Sequence, residues 1–355
     1  MTPQPELDRP AFIIGSASSG TTLLGVMLDR HSAFACGPEL YAFDKGQIYQ
    51  PLPVVRRNFG QWLKRGLVSD GQIDTPDFFH SRPAYFCDRD LLAHMMREAE
   101  SLRDFFDAFF RNYLAHRGKS RWAEKTGSNG YCLGRILKLY PSARVIHLVR
   151  DGRDVVCSLL KRDPRPYHAV SHWLYNVSAA LAWRGHPAYL EVRYETLAAE
   201  PEVSLRTICQ HLEIPFEPQM LAASADEYWR QCAPTSIHSS WGNSPFDGGT
   251  STRSIGRWRH ELTPQVEALF WRMRLSPWGR RRLRARGTDA APVCAGVADL
   301  MRLLGYADEP PIALCPVPLR MCGQGLRQFW RRARDHWRCN RRLWLPLTQL
   351  VGRGT

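Results

Sequence analysis

A chain of 355 residues that is 44% hydrophobic has apolar material for a large core and one or two domains. No apolar run approaches the roughly 20 residues needed to span a bilayer. The opening MTPQPELDRPAFIIG lacks the basic start and long apolar stretch of a secretion signal, so a cytoplasmic location is expected.

Residues 1–10 read as a short extension, and FIIG (12–15) as a buried strand running into GSASSGTT. TTLLGVMLDRH predicts the helix after that loop. From CGPEL to about residue 90 the chain is aromatic- and proline-rich without clear strand alternation. Residues 91–118 have helical periodicity in two segments, and SRWAEKTG (120–127) predicts a strand ending in a loop. NGYCLGRILKLYP reads as helix, ARVIHLVRD as a second buried strand, and GRDVVCSLLKR and SHWLYNVSAALAWRGH as helices. AYLEVRYETL predicts a strand into a loop, and PEVSLRTICQHLEI another helix.

The polar stretch 233–256 is expected to be a long surface loop. GRWRHELTPQVEALF resumes helix, and VCAGVADLMRLLGY (293–306) closes a domain spanning 11–306. A proline-broken linker (307–318) then leads to a basic amphipathic tail (319–355). Strands alternating with helices predict the α/β class, a P-loop-type parallel β-sheet flanked by helices on both faces. The ten cysteines are scattered without C-x-x-C or Cys/His spacing, which implies reduced thiols and no metal site.

The net charge of +14 is concentrated. Residues 271–287 hold seven arginines and no acid, and residues 319–344 hold eight arginines against one aspartate. Such stretches suit polyanions, anionic lipid or acidic acceptors.

Gly15 to Gly20 has the G-x-x-x-x-G frame of a phosphate-cradling loop, yet Thr21 stands where an ATP- or GTP-binding loop carries lysine. Strand, loop and helix together aim backbone N–H groups and a helix N-terminus at one spot, which favours an anion. An ordinary small-residue turn is the alternative. Arg150 ends a buried strand, and Ser158 follows eight residues later on the next helix. Both can face the crevice at the strand ends, where open α/β sheets bind ligands, and a guanidinium there suits a phosphate. The competing role for Arg150 is an ion pair with Asp151 or Asp154. Arg153 is assigned that structural role.

GSASSGTTLL resembles the 5′-phosphosulfate loop of sulfotransferases that use 3′-phosphoadenosine 5′-phosphosulfate (PAPS), and LVRDGRDVVCSLL resembles their 3′-phosphate motif. EVRYETL and SIGRWRHEL are similar to further landmarks of that family, so the resemblance covers roughly residues 11 to 306. It implies the sulfotransferase fold, PAPS as donor, PAP as product and no metal. Its nucleotide ligands map onto Ser18, Ser19, Gly20, Thr21, Thr22, Arg150 and Ser158. Tyr194 is implied near the nucleotide, and Arg257 near its phosphates or the acceptor. A phosphosulfate has no β- and γ-phosphates to bridge, which accounts for the missing lysine at Thr21. The family also keeps a cation two residues before the second glycine, where this chain has Ser18. Losing one charge-assisted contact is worth about 1.5–3 kcal/mol, roughly one to two decades in rate.

Sulfuryl transfer needs a base for the acceptor hydroxyl and positive groups for the leaving phosphate. In cytosolic-type sulfotransferases the base is a histidine two residues after a catalytic lysine. With Lys125 as that lysine, the position is Gly127. The tyrosylprotein sulfotransferases and their bacterial relatives use a glutamate in a segment that MLDRHSAFACGPELY resembles, with Cys36 and Gly37 in register. The resemblance makes Glu39 the base and Lys125 the stabiliser of the sulfuryl group. Helix capping or an arginine pair is the bland role for Glu39, and a pair with Glu124 or Asp154 that for Lys125. His31, His147 and His172 read as surface or packing residues.

The implied activity is sulfuryl transfer to a hydroxyl of a peptidyl tyrosine, a carbohydrate or a lipid, with an acidic peptide, glycan or lipid as partner. The alternatives are a weak or inactive sulfotransferase-fold protein, kept alive by Ser18, and a P-loop kinase, which the absent lysine opposes. In the tail, Leu326, Phe329, Trp330, Trp337 and Trp344 interleave with arginines. That suits a helix on an anionic membrane or one folded back on the body. Nothing beyond charge points to nucleic acid.

Overall fold

Ala11–Gly15 is buried at every position and forms β1, the middle strand of a five-stranded sheet. A strand without polar alternation belongs in a sheet covered on both faces. The computed structural model describes residues 4–65, 79, 81–222, 250–275 and 296–306, with the single residues 316 and 323. The remaining strands are β2 (Phe34–Cys36), β3 (Arg121–Glu124), β4 (Arg144–Val149) and β5 (Tyr189–Arg193). Their order is β2-β3-β1-β4-β5, and every pairing is parallel. Ala11 sets the register, opposite Ala123 on one side and Arg144 on the other. All carboxyl ends therefore lie along one edge. The chain leaves β1 toward β2 and later crosses to β4, so the strand order reverses beside β1, where such sheets bind ligands.

The sheet alternates with helices α1 (Thr21–Asp29), α2 (Leu52–Arg65), α3 (Arg89–Glu98), α4 (Leu102–Arg117), α5 (Leu133–Leu139), α6 (Gly152–Arg162), α7 (Pro166–Leu181), α8 (Tyr194–Ala199) and α9 (Pro201–Leu212). Short helices Trp258–Glu261, Pro264–Arg272 and Val297–Leu303 follow. Local chemistry sets their limits: Asp88 accepts from Leu91 N–H at 2.8 Å to cap α3, and Ser101 caps α4 from Asp104 N–H at 3.1 Å. Gly118, at φ +62°, ends α4 in a left-handed conformation.

One face of α4 presents Phe105, Phe106, Phe109, Phe110 and Tyr113, all buried. Phe110 stacks on Trp122 of β3 at 3.6 Å between ring centroids, and Phe106 on Phe43 at 4.1 Å. Each buried aromatic contributes about 1.5–3 kcal/mol. This layer backs the chain from β2 to Phe43, the stretch that carries Glu39.

Three elements differ from the sequence expectation. β2 has only three residues, too few for a period to register. α2 lies inside the proline-rich stretch, yet its buried Val55, Phe59, Trp62 and Leu63 follow helical spacing and Pro53 sits in the first turn, where proline is tolerated. Residues 194–199, expected as loop, form α8.

Within the expected loop, residues 233–249 lie outside the described residues, and Thr252–Ser254 is a 3-10 turn. The linker 307–318 and the tail 319–355 also lie outside them, apart from Pro316 and Gly323, as does the arginine-rich stretch beyond residue 275. Cys36, Cys87, Cys132, Cys157 and Cys209 are buried. Among the described residues no helix is long and apolar enough to cross a membrane.

Candidate active site

Each strand end delivers one part of the site. β1 runs into the loop 15–22, β2 into the segment with Glu39, β3 into Lys125, β4 into Arg150 and β5 into Tyr194. Residues distant in sequence converge because the strands are parallel and share one carboxyl edge.

The loop turns on itself. Ser19 gives its N–H and its Oγ–H to the Ser16 carbonyl, at 3.1 and 2.6 Å. That hydroxyl proton is held within the loop, so Ser19 shapes the turn. Ser18 has φ +67° and Gly20 φ +96°. A Cβ on Gly20 would lie 2.4 Å from the Tyr194 ring, so glycine serves both the conformation and the close approach. Thr21 is buried and Thr22 half-buried in the first turn of α1.

Arg150 reaches the loop: Nη1 donates to the Ser18 carbonyl at 2.8 Å and Nη2 to the Ser254 carbonyl at 2.6 Å. Its guanidinium lies 4.4 Å from the centroid of the Tyr194 ring, and Tyr194 Oη is 2.6 Å from Ser254 Oγ. Burial holds Arg150 below the usual guanidinium range. Its Nε, and Nε and Nη2 of Arg257, are buried without a hydrogen-bond partner among the described residues. Ser158 is half-buried on α6. Arg153 has the structural role expected of it, paired with Asp151 at 2.7 Å and lying over Trp258 at 3.6 Å.

The cation absent from position 18 arrives from elsewhere. Arg162, the last residue of α6, donates through Nη2 to Ser18 Oγ. Its sequence signal was its place four residues after Ser158, on the same helix face.

On the other side, Lys125 Nζ lies 3.4 Å from Thr22 Oγ1. The lysine stem crosses α1 at Gly25, where a Cβ would meet Lys125 Cδ at 2.7 Å. Glu39 is nearly buried and accepts the Tyr41 O–H on Oε2 at 2.6 Å. Burial, and then the Glu39 carboxylate, push the Tyr41 phenol well up, so it remains a donor. A Cβ at position 127 would stand 2.4 Å from the Gly15 carbonyl oxygen. No side chain fits there, histidine included.

Glu39, Tyr41, Gly15 and Ala17 line a cleft of about 250 Å³ whose far wall comes from α6 and α7. That wall holds Arg162, Asp163, His168, His172 and Asn176. His172, expected to be a surface or packing residue, is a wall residue with Nδ1 3.2 Å from Ser16 Oγ. Only the packing of α7 over the loop brings it there. His31 and His147 are buried, and burial drops His147 to about 3. Arg165, then His168, hold Asp163 below the usual carboxylate range.

The protein-tyrosine sulfotransferase 1 of Danio rerio is 27% identical over 228 residues, 60% of this chain and 56% of its own length. That of Drosophila melanogaster is 26% identical over 224 residues, 59% of this chain and 39% of its own. An uncharacterised protein of Aquifex aeolicus is 26% identical over 283 residues, 74% of this chain and 32% of its own. The chain thus spans between about a third and somewhat over half of the length of these curated relatives. Among solved structures, the sulfotransferase domain of the Synechococcus PCC 7002 olefin synthase shares the fold, with a TM-score of 0.50 and 21% identity over 74% of this chain and 92% of that one. The pattern of the sulfotransferase family matches residues 10–218, and the chain belongs to that family.

Proposed function

We propose that the chain transfers the sulfuryl group of PAPS to an acceptor hydroxyl, releasing PAP, with Glu39 as the base. The observation that carries this reading is the place of Glu39 in one cleft with Gly15 and Ala17 of the loop, beside a position, 127, with no room for a side chain. The buried Arg150 and Arg257 nitrogens that make no hydrogen bond among the described residues, Arg257 also standing 3.8 Å from Glu261, and the bare Gly20 backbone against Tyr194 fit an anionic nucleotide.

When bound, the nucleotide supplies an activated sulfuryl group on its 5′-phosphate. The N–H groups at the start of α1, with Thr21 and Thr22, hold that phosphate in a loop shaped by Ser18, Ser19 and Gly20. Arg150 and Ser158 take the 3′-phosphate, Tyr194 flanks the nucleotide, and Arg257 adds positive charge. Oε2 of Glu39 holds the Tyr41 proton, so Oε1 is the atom that takes the proton of the acceptor hydroxyl. Lys125 opposes the negative charge that develops on the transferring group. Arg162 supports an active chain, because its contact with Ser18 answers the missing loop cation.

The named relatives favour peptidyl tyrosine as the acceptor class. The arginine-rich stretches would suit an acidic peptide, an anionic glycan or an anionic membrane surface. Thermal melting with PAP and with ATP tests the reading. At 100 Kd a ligand stabilises by about 2.7 kcal/mol, so PAP should raise the melting temperature while ATP does little. The reverse ranking overturns the assignment. Glu39→Gln should abolish PAP release from PAPS and keep the PAP shift; full activity removes Glu39 as base.

A further inference from the structure

Glu124, the last residue of β3, is a fully buried carboxylate to which sulfuryl transfer assigns no task. Every group hydrogen-bonded to it is a donor. Oε1 accepts from Leu40 N–H at 3.1 Å and Thr126 Oγ–H at 2.5 Å, and Oε2 from Thr126 N–H at 3.1 Å and from the Asn129 amide. Thr126 Oγ1 accepts in turn from the N–H groups of Leu40 and Tyr41, both at 3.1 Å. An ionised carboxylate, which only accepts, matches every donor of this set. Burial pushes Glu124 up to about 7 against the pull of these bonds, so the charge is held here at a cost.

The segment so gripped carries the base. Tyr41 stands at φ +53°, a region tyrosine seldom enters and keeps only where its surroundings over-determine it. Its N–H is fixed on Thr126 and its phenol on Glu39. Lys125 lies between Glu124 and Thr126 in the chain, so the same bonds fix the backbone from which it reaches Thr22.

We infer that Glu124 is a positioning residue for the transfer, clamping Leu40 and Tyr41 through Thr126 so that Tyr41, Glu39 and Lys125 share one geometry. This rests on the reading of Glu39 as base. Packing alone would need neither the charge nor the Thr126 hydroxyl.

The test uses the full chain with Glu124→Gln and Thr126→Val, both close to isosteric, and Thr126→Ser as the conservative variant. ¹⁹F NMR of 3-fluorotyrosine encoded at position 41 reads the Tyr41–Glu39 bond without turnover. PAP release from PAPS gives kcat, and the PAP-induced melting shift reports nucleotide binding. Glu124→Gln and Thr126→Val should move or broaden the resonance and lower kcat by roughly ten- to a hundredfold, with the PAP shift retained. Thr126→Ser should recover the wild-type signal. An unchanged resonance in both isosteric variants overturns the positioning role, whether or not the chain turns over. A resonance that moves while the unmodified chain neither binds PAP nor releases it supports the clamp and removes sulfuryl transfer. Should Glu124→Gln not fold, Thr126→Val keeps the carboxylate, and identical behaviour of the valine and serine variants overturns the inference.

Discussion

Gly127 lies directly against the backbone of Gly15. A Cβ added at 127 would stand 2.4 Å from the Gly15 carbonyl oxygen, and that atom belongs to the end of β1, which the pairing of Gly15 with Leu148 holds in place. The contact couples the choice of base to the seating of the loop. A chain that packs β1 this tightly against the turn after Lys125 leaves no room for a base at 127, and on the proposed reading of Glu39 the base comes instead from the end of β2.

Gly127→Ala is therefore expected to cost about 1–3 kcal/mol of stability, the usual range for overpacking, and to weaken PAP binding by displacing the loop. Urea unfolding and the PAP melting shift measure the two effects. Gly127→His, added to Glu39→Gln, should restore no PAP release. Recovered turnover in that double variant would show that the turn can yield and that glutamate is not obligatory.

Arg162 answers the one loop position where the sequence looked deficient. Removing a charge-assisted contact of about 1.5–3 kcal/mol predicts that Arg162→Ala slows PAP release by roughly 10- to 100-fold. Because Ser18 Oγ is the partner, Ser18→Lys in the Arg162→Ala background should recover part of the rate. A wild-type rate in Arg162→Ala would make the contact a surface pairing, and the loop would then work through backbone N–H groups and Lys125.

These examples mark what was legible in the sequence. Gly20, Thr21, Thr22 and Arg150 stand out because each follows a strand with a strong apolar signature and keeps a short-range pattern, whereas Tyr194 stands out only through the resemblance of EVRYETL to a family landmark. The buried strands and α4 were visible for the same reason of period. His172 and Asn176 were not, since their place in the cleft follows from how α7 packs over the loop, a relation no local spacing encodes; Arg162 had only its spacing of four residues from Ser158 to mark it. The glycine contacts were equally silent: a glycine at 25 or 127 shows the absence of a side chain but not the neighbour that requires it.

Gly25 makes that point testable. In an exposed helix interior Gly→Ala stabilises by roughly 0.5–1 kcal/mol. Here the added methyl would meet Lys125 Cδ at 2.7 Å and Cys36 Sγ at 3.3 Å, so the sign should reverse and Lys125 should lose its approach to Thr22. Gly25→Ala is expected to lower kcat for PAP release with little change in PAP binding. A rise in stability with unaltered kcat would show that the lysine stem has another route across α1.

Two buried groups should oppose each other in the pH dependence of stability. His147 hydrogen-bonds through Nδ1 with Tyr189 Oη at 2.5 Å, and burial takes it to about 3, against 6.5 for a free histidine. The unfolded chain therefore binds the extra proton below pH 6.5. Stability from His147 is complete above that value and falls by about 1.4 kcal/mol per unit as pH drops toward 3. Glu124 runs the other way: its folded value of about 7 lies above 4.5, so its contribution is complete below 4.5 and is lost as pH rises to 7. Between 4.5 and 6.5 the slopes cancel, and each variant should unmask the other group. Relative to the unmodified chain, His147→Phe should gain stability as pH falls through that window, and Glu124→Gln should lose it. Urea unfolding from pH 4.5 to 8 measures both. Parallel curves for all three proteins would mean that neither group titrates differently in the folded and unfolded states.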